Sequence, residues 1–355
     1  MSAKTIYIVM FLLFPSAWVL TSLIMRYATR QGMLDIPNSR SSHSIPKPRG
    51  GGLSFVTLFL LFAGICFYAM NVPTRMSLGL IVPGLAVAAV GWFDDKKNLS
   101  VLFRAGVHLI SAICAVYWLN GLEQISIGPQ VIELGHVGFV LAVLGIVWSI
   151  NMYNFMDGID GLAASEAVVV ATFGGFLSLM SGSTTVALLA FGVSLSVGGF
   201  LVWNWPPAKI FMGDVGSGFL GFLLAYLALL SEKTKGVALI VWLVLLLAFV
   251  VDATLTLMRR VVSGEKWYEP HRTHVYQLAV QVGYTHKQVT VSVIALTACL
   301  GVLGWIATLY SHLSIPILLI VFTLLALTHV CLYRKWSPMT SVKNVTINAE
   351  EDSPS

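Results

Sequence analysis

The chain predicts an all-α polytopic membrane protein of about eleven transmembrane helices, with the N-terminus outside and the polar loops and C-terminus in the cytoplasm. Three observations predict it. Hydrophobic residues make up 57% of the 355 positions and charged residues only 10%, where a soluble domain carries roughly a quarter charged residues. The apolar runs are continuous rather than alternating, which argues for helices over a β-barrel. Of the 21 Lys and Arg residues, 17 fall on one side of the resulting topology, including Arg26, Arg40, Lys47, Arg49, Arg104, Arg259, Arg272 and Arg334. The excess marks that side as cytoplasmic.

Eleven spans are expected near 6–25, 52–70, 76–93, 105–120, 136–152, 163–181, 184–203, 216–231, 236–258, 288–310 and 314–333. At roughly 20 residues each they consume most of the chain. One integral-membrane domain, 1–335, is therefore expected, followed by a polar, disordered cytoplasmic tail, 336–355. The first run is long for a signal peptide and lacks a small-residue cleavage site, so it reads as a retained helix. Residues 121–135 read as an outer hairpin or an interfacial segment. Cys66, Cys114, Cys299 and Cys331 lie singly in apolar runs and imply neither disulfide nor zinc. No basic stripe lies on a soluble element, which excludes nucleic acid as a partner.

Six of the eight aspartates stand where apolar stretches end, on the same predicted side: Asp94, Asp95, Asp157, Asp160, Asp214 and Asp252. A carboxylate costs about 2.5–3.5 kcal/mol at a helix centre on insertion scales, so such groups are kept for a use. Carboxylates gathered at a membrane surface suit a divalent cation, and a divalent cation suits phosphate chemistry.

The polar elements follow in chain order. The first inner loop, residues 34–52, offers Arg40, His43, Lys47 and Arg49 to phosphate oxygens before Gly50, Gly51 and Gly52. FDDKKN places Asp94 and Asp95 about 100° apart on a helix end, so that one meets the reacting groups while the other orients a neighbour. NMYNFMDGIDG spaces Asn151, Asn154, Asp157 and Asp160 by three, a slowly drifting polar face if helical, with Gly158 and Gly161 allowing a turn. NWPPAKIFMGDVGSGFLG combines Asn204, a stacking face at Phe211 and Asp214 at the head of a helix. Its Gly218 and Gly221 read as helix-packing residues, not a dinucleotide site. The last inner loop carries His271, Arg272 and His274 toward a sugar or pyrophosphate. Asp252 reads equally as structural, and His108, His312 and His329 as bystanders.

These five elements, in this order and across roughly residues 10–333, resemble the polyprenyl-phosphate N-acetylhexosamine-1-phosphate transferases of glycosyltransferase family 4. The resemblance implies a magnesium-dependent membrane enzyme, with manganese as an alternative ion. It would move a sugar-1-phosphate from a UDP-N-acetylhexosamine to undecaprenyl phosphate and release UMP. On the same ground Asp214 is the expected metal ligand. Asn154, Asp160, Asn204 and Phe211 are expected to bind the nucleotide sugar, together with Arg40, His43, Lys47 and Arg49. Asp94, Asp95, Asp157, His271, Arg272 and His274 are expected to be catalytic, with Asp94 acting as base, nucleophile or positioning group. Asp35, Asn38, Arg40 and His43 fit the family's DxPNxRxxH opening.

The family's peptidoglycan branch carries a histidine triplet in the last inner loop. This chain has His274-Val275-Tyr276-Gln277. The HRTHVYQ form looks like the branch that starts O-antigen repeats, which implies N-acetylfucosamine or a similar donor; a UDP-N-acetylglucosamine-specific initiator is the alternative. The implied setting is the bacterial inner membrane, with membrane lipids and a second copy of the chain as partners. A lipid or ion transporter is the competing class. It is disfavoured because the aspartates sit at one surface and no internal repeat is visible.

Overall fold

The computed structural model describes residues 3–37, 45–266 and 271–351, with side chains over 5–37, 45–266 and 271–337. The helix α1 spans Ala3–Arg30 and is followed by a two-strand clip, β1 (Leu34–Asp35) with β2 (Lys47–Pro48), paired Asp35 to Lys47. Then come α2 (Leu53–Ala69), α3 (Thr74–Lys97) and α4 (Val101–Trp118). The antiparallel hairpin β3 (Gln124–Ile127) and β4 (Gln130–Glu133) fills the expected 121–135 position. The helices α5 (His136–Met156), α6 (Leu162–Met180), α7 (Thr184–Asn204) and α8 (Asp214–Lys233) complete the central bundle. Last are α9 (Leu239–Leu245), α10 (Leu247–Val262), the short α11 (Val275–Gln281), α12 (His286–Leu309) and α13 (Ser314–Glu351).

Nine described helices are long and apolar enough to cross a membrane, and a tenth span arises if α9 and α10, bent by 76°, are taken together. The count of eleven is reached only with α2, an apolar helix of 17 residues. Every expected span nonetheless falls on a helix. Beyond the last span, α13 continues to Glu351. Extending an existing helix needs no new nucleus, which is why a polar run can continue it.

The centre of the bundle is α8. Buried positions fill 89% of its apolar window, against 22% for α1 and 6% for α13. Lipid is as apolar as leucine, so helices here associate through close packing and small residues. Gly221 on α8 shows the device: a Cβ there would lie 2.2 Å from the Ser149 carbonyl oxygen on α5, and Ser149 Oγ donates to the Gly221 carbonyl at 2.8 Å. Gly218, expected to pack as tightly, has ordinary contact distances.

The two ends of α8 differ. At its C-terminus Glu232 accepts N–H groups from Ser126 on β3 (2.7 Å) and Leu239 on α9 (2.6 Å), tying the hairpin to the bundle. At its N-terminus, about 30 Å away at 1.5 Å per residue, the aspartate motifs converge.

Candidate active site

The site is built on the first turn of α8. The first N–H groups of any helix lack intrahelical partners and take an acceptor from elsewhere. Here the acceptor is Asp95, near the end of α3. Its two oxygens receive Asp214 N–H at 2.9 Å and Val215 N–H at 3.2 Å. Arg49 Nε closes on the same carboxylate at 2.7 Å, and the Asp95 side chain is fully buried. Asp95 is therefore consumed in holding α8 against α3 and the loop before α2. Two glycines permit the approach. A Cβ on Gly91 would sit 2.4 Å from the Asp214 carbonyl oxygen, and Gly213, at φ +76°, would press a Cβ against Asp95.

The neighbouring Asp94 points elsewhere, as a rotation of about 100° per residue requires. It accepts the Leu99 N–H at 2.6 Å and pairs with Arg104. One guanidinium nitrogen of Arg104, on the first turn of α4, serves both Asp94 Oδ2 and Asp214 Oδ2, the latter at 2.9 Å. The other oxygen of Asp214 takes Arg49 Nη2 at 3.1 Å. Burial works against the charge of Arg49, but the carboxylates of Asp95 and Asp214 outweigh it and hold the guanidinium above its ordinary pKa. By sequence Arg104 carries only the weight of an inside charge. Its signal was its position, one turn past the Asp94 motif across a three-residue break.

Asn154, on α5, donates to Ser217 Oγ at 3.2 Å, on the α8 face that carries Asp214. Asp157 caps the end of α5. Burial first, then the Asp214 and Asp95 carboxylates, raise its pKa well above the usual range. Of the two possibilities, a continuous polar helix face or a turn at Gly158 and Gly161, the chain takes the turn: α5 stops at Met156, and Gly161, at φ +75°, redirects the chain before α6. Asp160 thereby faces away from α5 to meet Lys47 Nζ at 3.3 Å, the Ala208 N–H at 2.9 Å and His286 Nδ1 at 3.4 Å. Burial opposes its ionisation, but His286, the Ala208 N–H and Lys47 prevail and pull its pKa down to about 2.

Asn204 ends α7, buried, with its carboxamide spent inside the protein: Oδ1 accepts Gly161 N–H at 3.1 Å and Nδ2 donates to the Ile210 carbonyl at 3.0 Å. This braces the 205–213 loop against the turn that holds Asp160. The loop also pairs by backbone with the first one, Phe211 N–H to Pro48 and Gly51 N–H to Phe211. Phe211 is thus set beneath Lys47, whose Nζ lies 5.1 Å from the ring centroid. Arg40 and His43, with Asn38 of the same motif, lie outside the described residues.

Between α3, α4, α5 and α8 is a cavity of about 120 Å³ lined by Arg104, His108, Asn151, Asn154, Phe155 and Asp214, among others. His108 lines this cavity, because α4 turns it onto the face that carries Arg104 one turn earlier. Phe155 connects the cavity to the last polar loop. Its ring stacks with that of His274 (6.2 Å between centroids) and lies tilted against that of His271 (6.4 Å). Burial first, then the His274 ring and the charges of Arg260 and Arg259, lower the pKa of His271 to about 3, so it is neutral near pH 7. Burial also lowers the pKa of Arg272.

No three His, Cys, Asp or Glu side chains converge as a ready-made metal cage among the described residues. Magnesium rarely needs one: it keeps several waters and is held by one or two carboxylates plus substrate phosphates. Asp94 and Asp214, side by side on one Arg104 nitrogen, fit that donor set, with hard oxygen ligands on rigid helix ends.

This geometry defines a class: a polytopic membrane enzyme whose carboxylates and arginines meet at one end of a helical bundle. Comparisons narrow it. Residues 77–232 match the model of glycosyl transferase family 4. The chain is similar to a probable undecaprenyl-phosphate N-acetylglucosaminyl 1-phosphate transferase of Bacillus subtilis, 30% identical over 313 residues and 86% of each chain. It is similar also to the undecaprenyl-phosphate alpha-N-acetylglucosaminyl 1-phosphate transferase of Salmonella typhi, 30% identical over 90% of this chain and 89% of the other. The Yersinia pestis enzyme of the same name is 29% identical over 97% and 94%. The chain belongs to glycosyl transferase family 4, the polyprenyl-phosphate N-acetylhexosamine-1-phosphate transferases.

Proposed function

We propose that this protein transfers an N-acetylhexosamine-1-phosphate from a UDP-sugar to undecaprenyl phosphate, releasing UMP and starting a surface polysaccharide. The observation that carries this is the single cluster in which Arg49 and Arg104 each bridge two of the aspartates 94, 95 and 214. Such an arrangement, with cations already facing carboxylates, suits a site that receives phosphates and a divalent ion.

In the reaction an oxygen of the lipid phosphate attacks the sugar-bound phosphorus, and the bond to UMP breaks with its electron pair on UMP. Asp214 would hold magnesium, or manganese in its place; when bound, the ion offsets charge on the pyrophosphate and the leaving group. The protein's part is placement. Arg104 and Arg49 exchange carboxylate for phosphate oxygens, while Asp95 keeps α8 in position. Asp94 removes a residual proton from the lipid phosphate; direct attack is favoured over a phospho-aspartate because the acceptor is already an oxyanion. Phe211 offers a stacking face to uracil, with Lys47 near the diphosphate and Asn154 beside Asp214. Asp160 and Asn204 shape this pocket from behind. His271, neutral, with Arg272 and His274, forms the opposite wall.

Two donor readings each have a support. The names of the relatives favour N-acetylglucosamine. The HRTHVYQ loop favours N-acetylfucosamine or a similar sugar and a role in O-antigen synthesis. The topology that goes with the reaction has eleven spans, α2 included, the N-terminus outside and the site facing the cytoplasm of the bacterial inner membrane. Its support is the distribution of Lys and Arg. A homodimer completes the proposal. Purified protein given undecaprenyl phosphate, magnesium and a panel of UDP-N-acetylhexosamines tests it. Lipid-dependent, chelator-sensitive UMP release with one donor is expected. Absence of release with every donor would overturn the reading.

A further inference from the structure

His271, Arg272 and His274 form a wall of the proposed site, and a group outside them holds that wall. Residues 271–274, which lead into α11, form neither helix nor strand, so a group outside them must set their distance from α5. Asp252, in the middle of α10, faces it. Asp252 Oδ1 accepts the Val275 N–H at 3.1 Å, and Oδ2 accepts the Tyr276 N–H at 3.4 Å. The same Oδ1 lies 3.4 Å from His274 Nδ1 and 3.3 Å from His329 Nε2 on α13. Thr256, one turn further along α10, bonds both, to Asp252 at 3.2 Å and to His329 at 3.2 Å.

The chain of contacts runs on into the site. His274 is buried, stacks on Phe155 and Tyr276, and stands 4.9 Å from His271 between ring centroids. Tyr276 Oη donates to the Phe155 carbonyl at 2.8 Å, and the Gly158 beside Asp157 has no side chain because the Tyr276 hydroxyl occupies its place, 2.2 Å from a built Cβ. Asp252 thus acts on both partners of Phe155, through the α11 backbone and through the His274 ring. His329 enters from the last span. In sequence it is a lone histidine in an apolar run with no visible partner.

We infer that Asp252 and His329 are positioning residues: an α10–α13 couple that sets the His271–Arg272–His274 wall against Phe155 and the Asp157 end of α5. The assignment rests on the transferase reading for its kinetic consequence, but not for its structural one. Neither residue reaches the reacting atoms. Their effect comes through the placement of groups that do, where a shift of about 1 Å can cost 10²-fold in rate.

Two measurements test it on the full-length protein in detergent. In UMP release, Asp252→Asn should lower kcat by about 10²-fold by that principle and leave the KM for undecaprenyl phosphate within about twofold. His329→Gln should lower kcat by roughly tenfold. The double variant should be no slower than Asp252→Asn, because both act through one carboxylate and their effects do not add. Wild-type kcat in Asp252→Asn, or additive losses in the double variant, would overturn the assignment. The second readout is the ¹⁵N spectrum of labelled histidines. His329→Gln should shift the His274 signal and leave those of His136 and His312 unchanged. An unmoved His274 signal would overturn the assignment even if activity fell. Should Asp252→Asn fail to fold, the His329→Gln arm decides alone. If the wild-type protein releases no UMP with any donor, the transferase reading fails, while the spectrum still tests the couple.

Discussion

One nitrogen of Arg104 holds Asp94 and Asp214 together, although the two carboxylates stand 120 positions apart in the chain. Two helix ends, α3 and α8, are joined there by the start of α4. Without substrate, the guanidinium neutralises charges that would otherwise repel at close range. With substrate it is a ready phosphate ligand, since an arginine fork suits both carboxylate and phosphate. Arg104→Ala should therefore lower kcat for UMP release by about 10²–10³-fold, the scale of removing one preorganised electrostatic donor. Arg104→Lys should recover a minor part. Near wild-type turnover in Arg104→Ala would show that the pair needs no bridging cation.

Asp94 and Asp95 should separate by phenotype. Asp95→Ala strips the cap from α8 and leaves Arg49 paired with Asp214 alone. Breaking a buried pair by removing one partner costs about 3–5 kcal/mol, so Asp95→Ala should unfold well before the wild type in a detergent melt. Asp94→Asn should melt close to wild type and lose turnover. The reverse ranking in stability would move the capping role off Asp95.

Gly213→Ala tests the same cap through the backbone. Its φ of +76° disfavours any other residue, and the added Cβ would meet Asp95 Oδ2 at 2.4 Å. Strain of that kind costs of order 1–3 kcal/mol. The melt should fall, and UMP release with it. A neutral outcome would mean that the α8 N-terminus yields freely.

Asp214→Ala should abolish turnover, and magnesium in excess should not restore it. Chelation of the wild-type protein should stop UMP release, and added magnesium should return it. Full activity of Asp214→Ala would take the residue out of the metal site.

The histidine wall should respond to pH in a definite direction. His271 has its pKa lowered from 6.5 to about 3 in the folded protein. Above pH 6.5 it is neutral folded or unfolded, and its contribution to stability is complete. As pH falls below 6.5 the unfolded chain binds a proton that the folded one refuses, so stability declines until pH approaches 3. Melting temperatures measured from pH 7.5 to 5 should fall, and His271→Gln should flatten that slope. An unchanged slope in the variant would assign the loss to other groups.

Much of the fold was legible in the chain because the bilayer admits few solutions. A continuous apolar run of about 20 residues must satisfy its own backbone, so it becomes a helix. All eleven expected segments are helical for that reason. The span boundaries were less visible where local chemistry intervened. The 76° bend between α9 and α10 has no Pro or Gly at Leu246 to announce it. At Gly158 and Gly161 the break was announced, and the equal spacing of Asn151, Asn154, Asp157 and Asp160 still suggested a stripe that the turn destroys.

What the sequence determined by itself was the class of the molecule, the residues able to carry phosphate chemistry, and their collection at helix ends. Composition, run length and residue type are local, and each is readable in one dimension. What only the tertiary structure decided was the division of labour among those residues. Asp95 became a cap because its oxygens meet the N-terminus of α8, and Asp94 a partner of Arg104 because it points about 100° away. Asn204 became a brace because both ends of its amide are spent, and Asp252 and His329 joined the site through α11. Hydrogen bonds are directional and short in range. A role that depends on them is set by which atoms lie within about 3 Å, and neighbours such as Asp95 and Asp214, 119 positions apart, or Thr256 and His329, 73 apart, are chosen by packing alone.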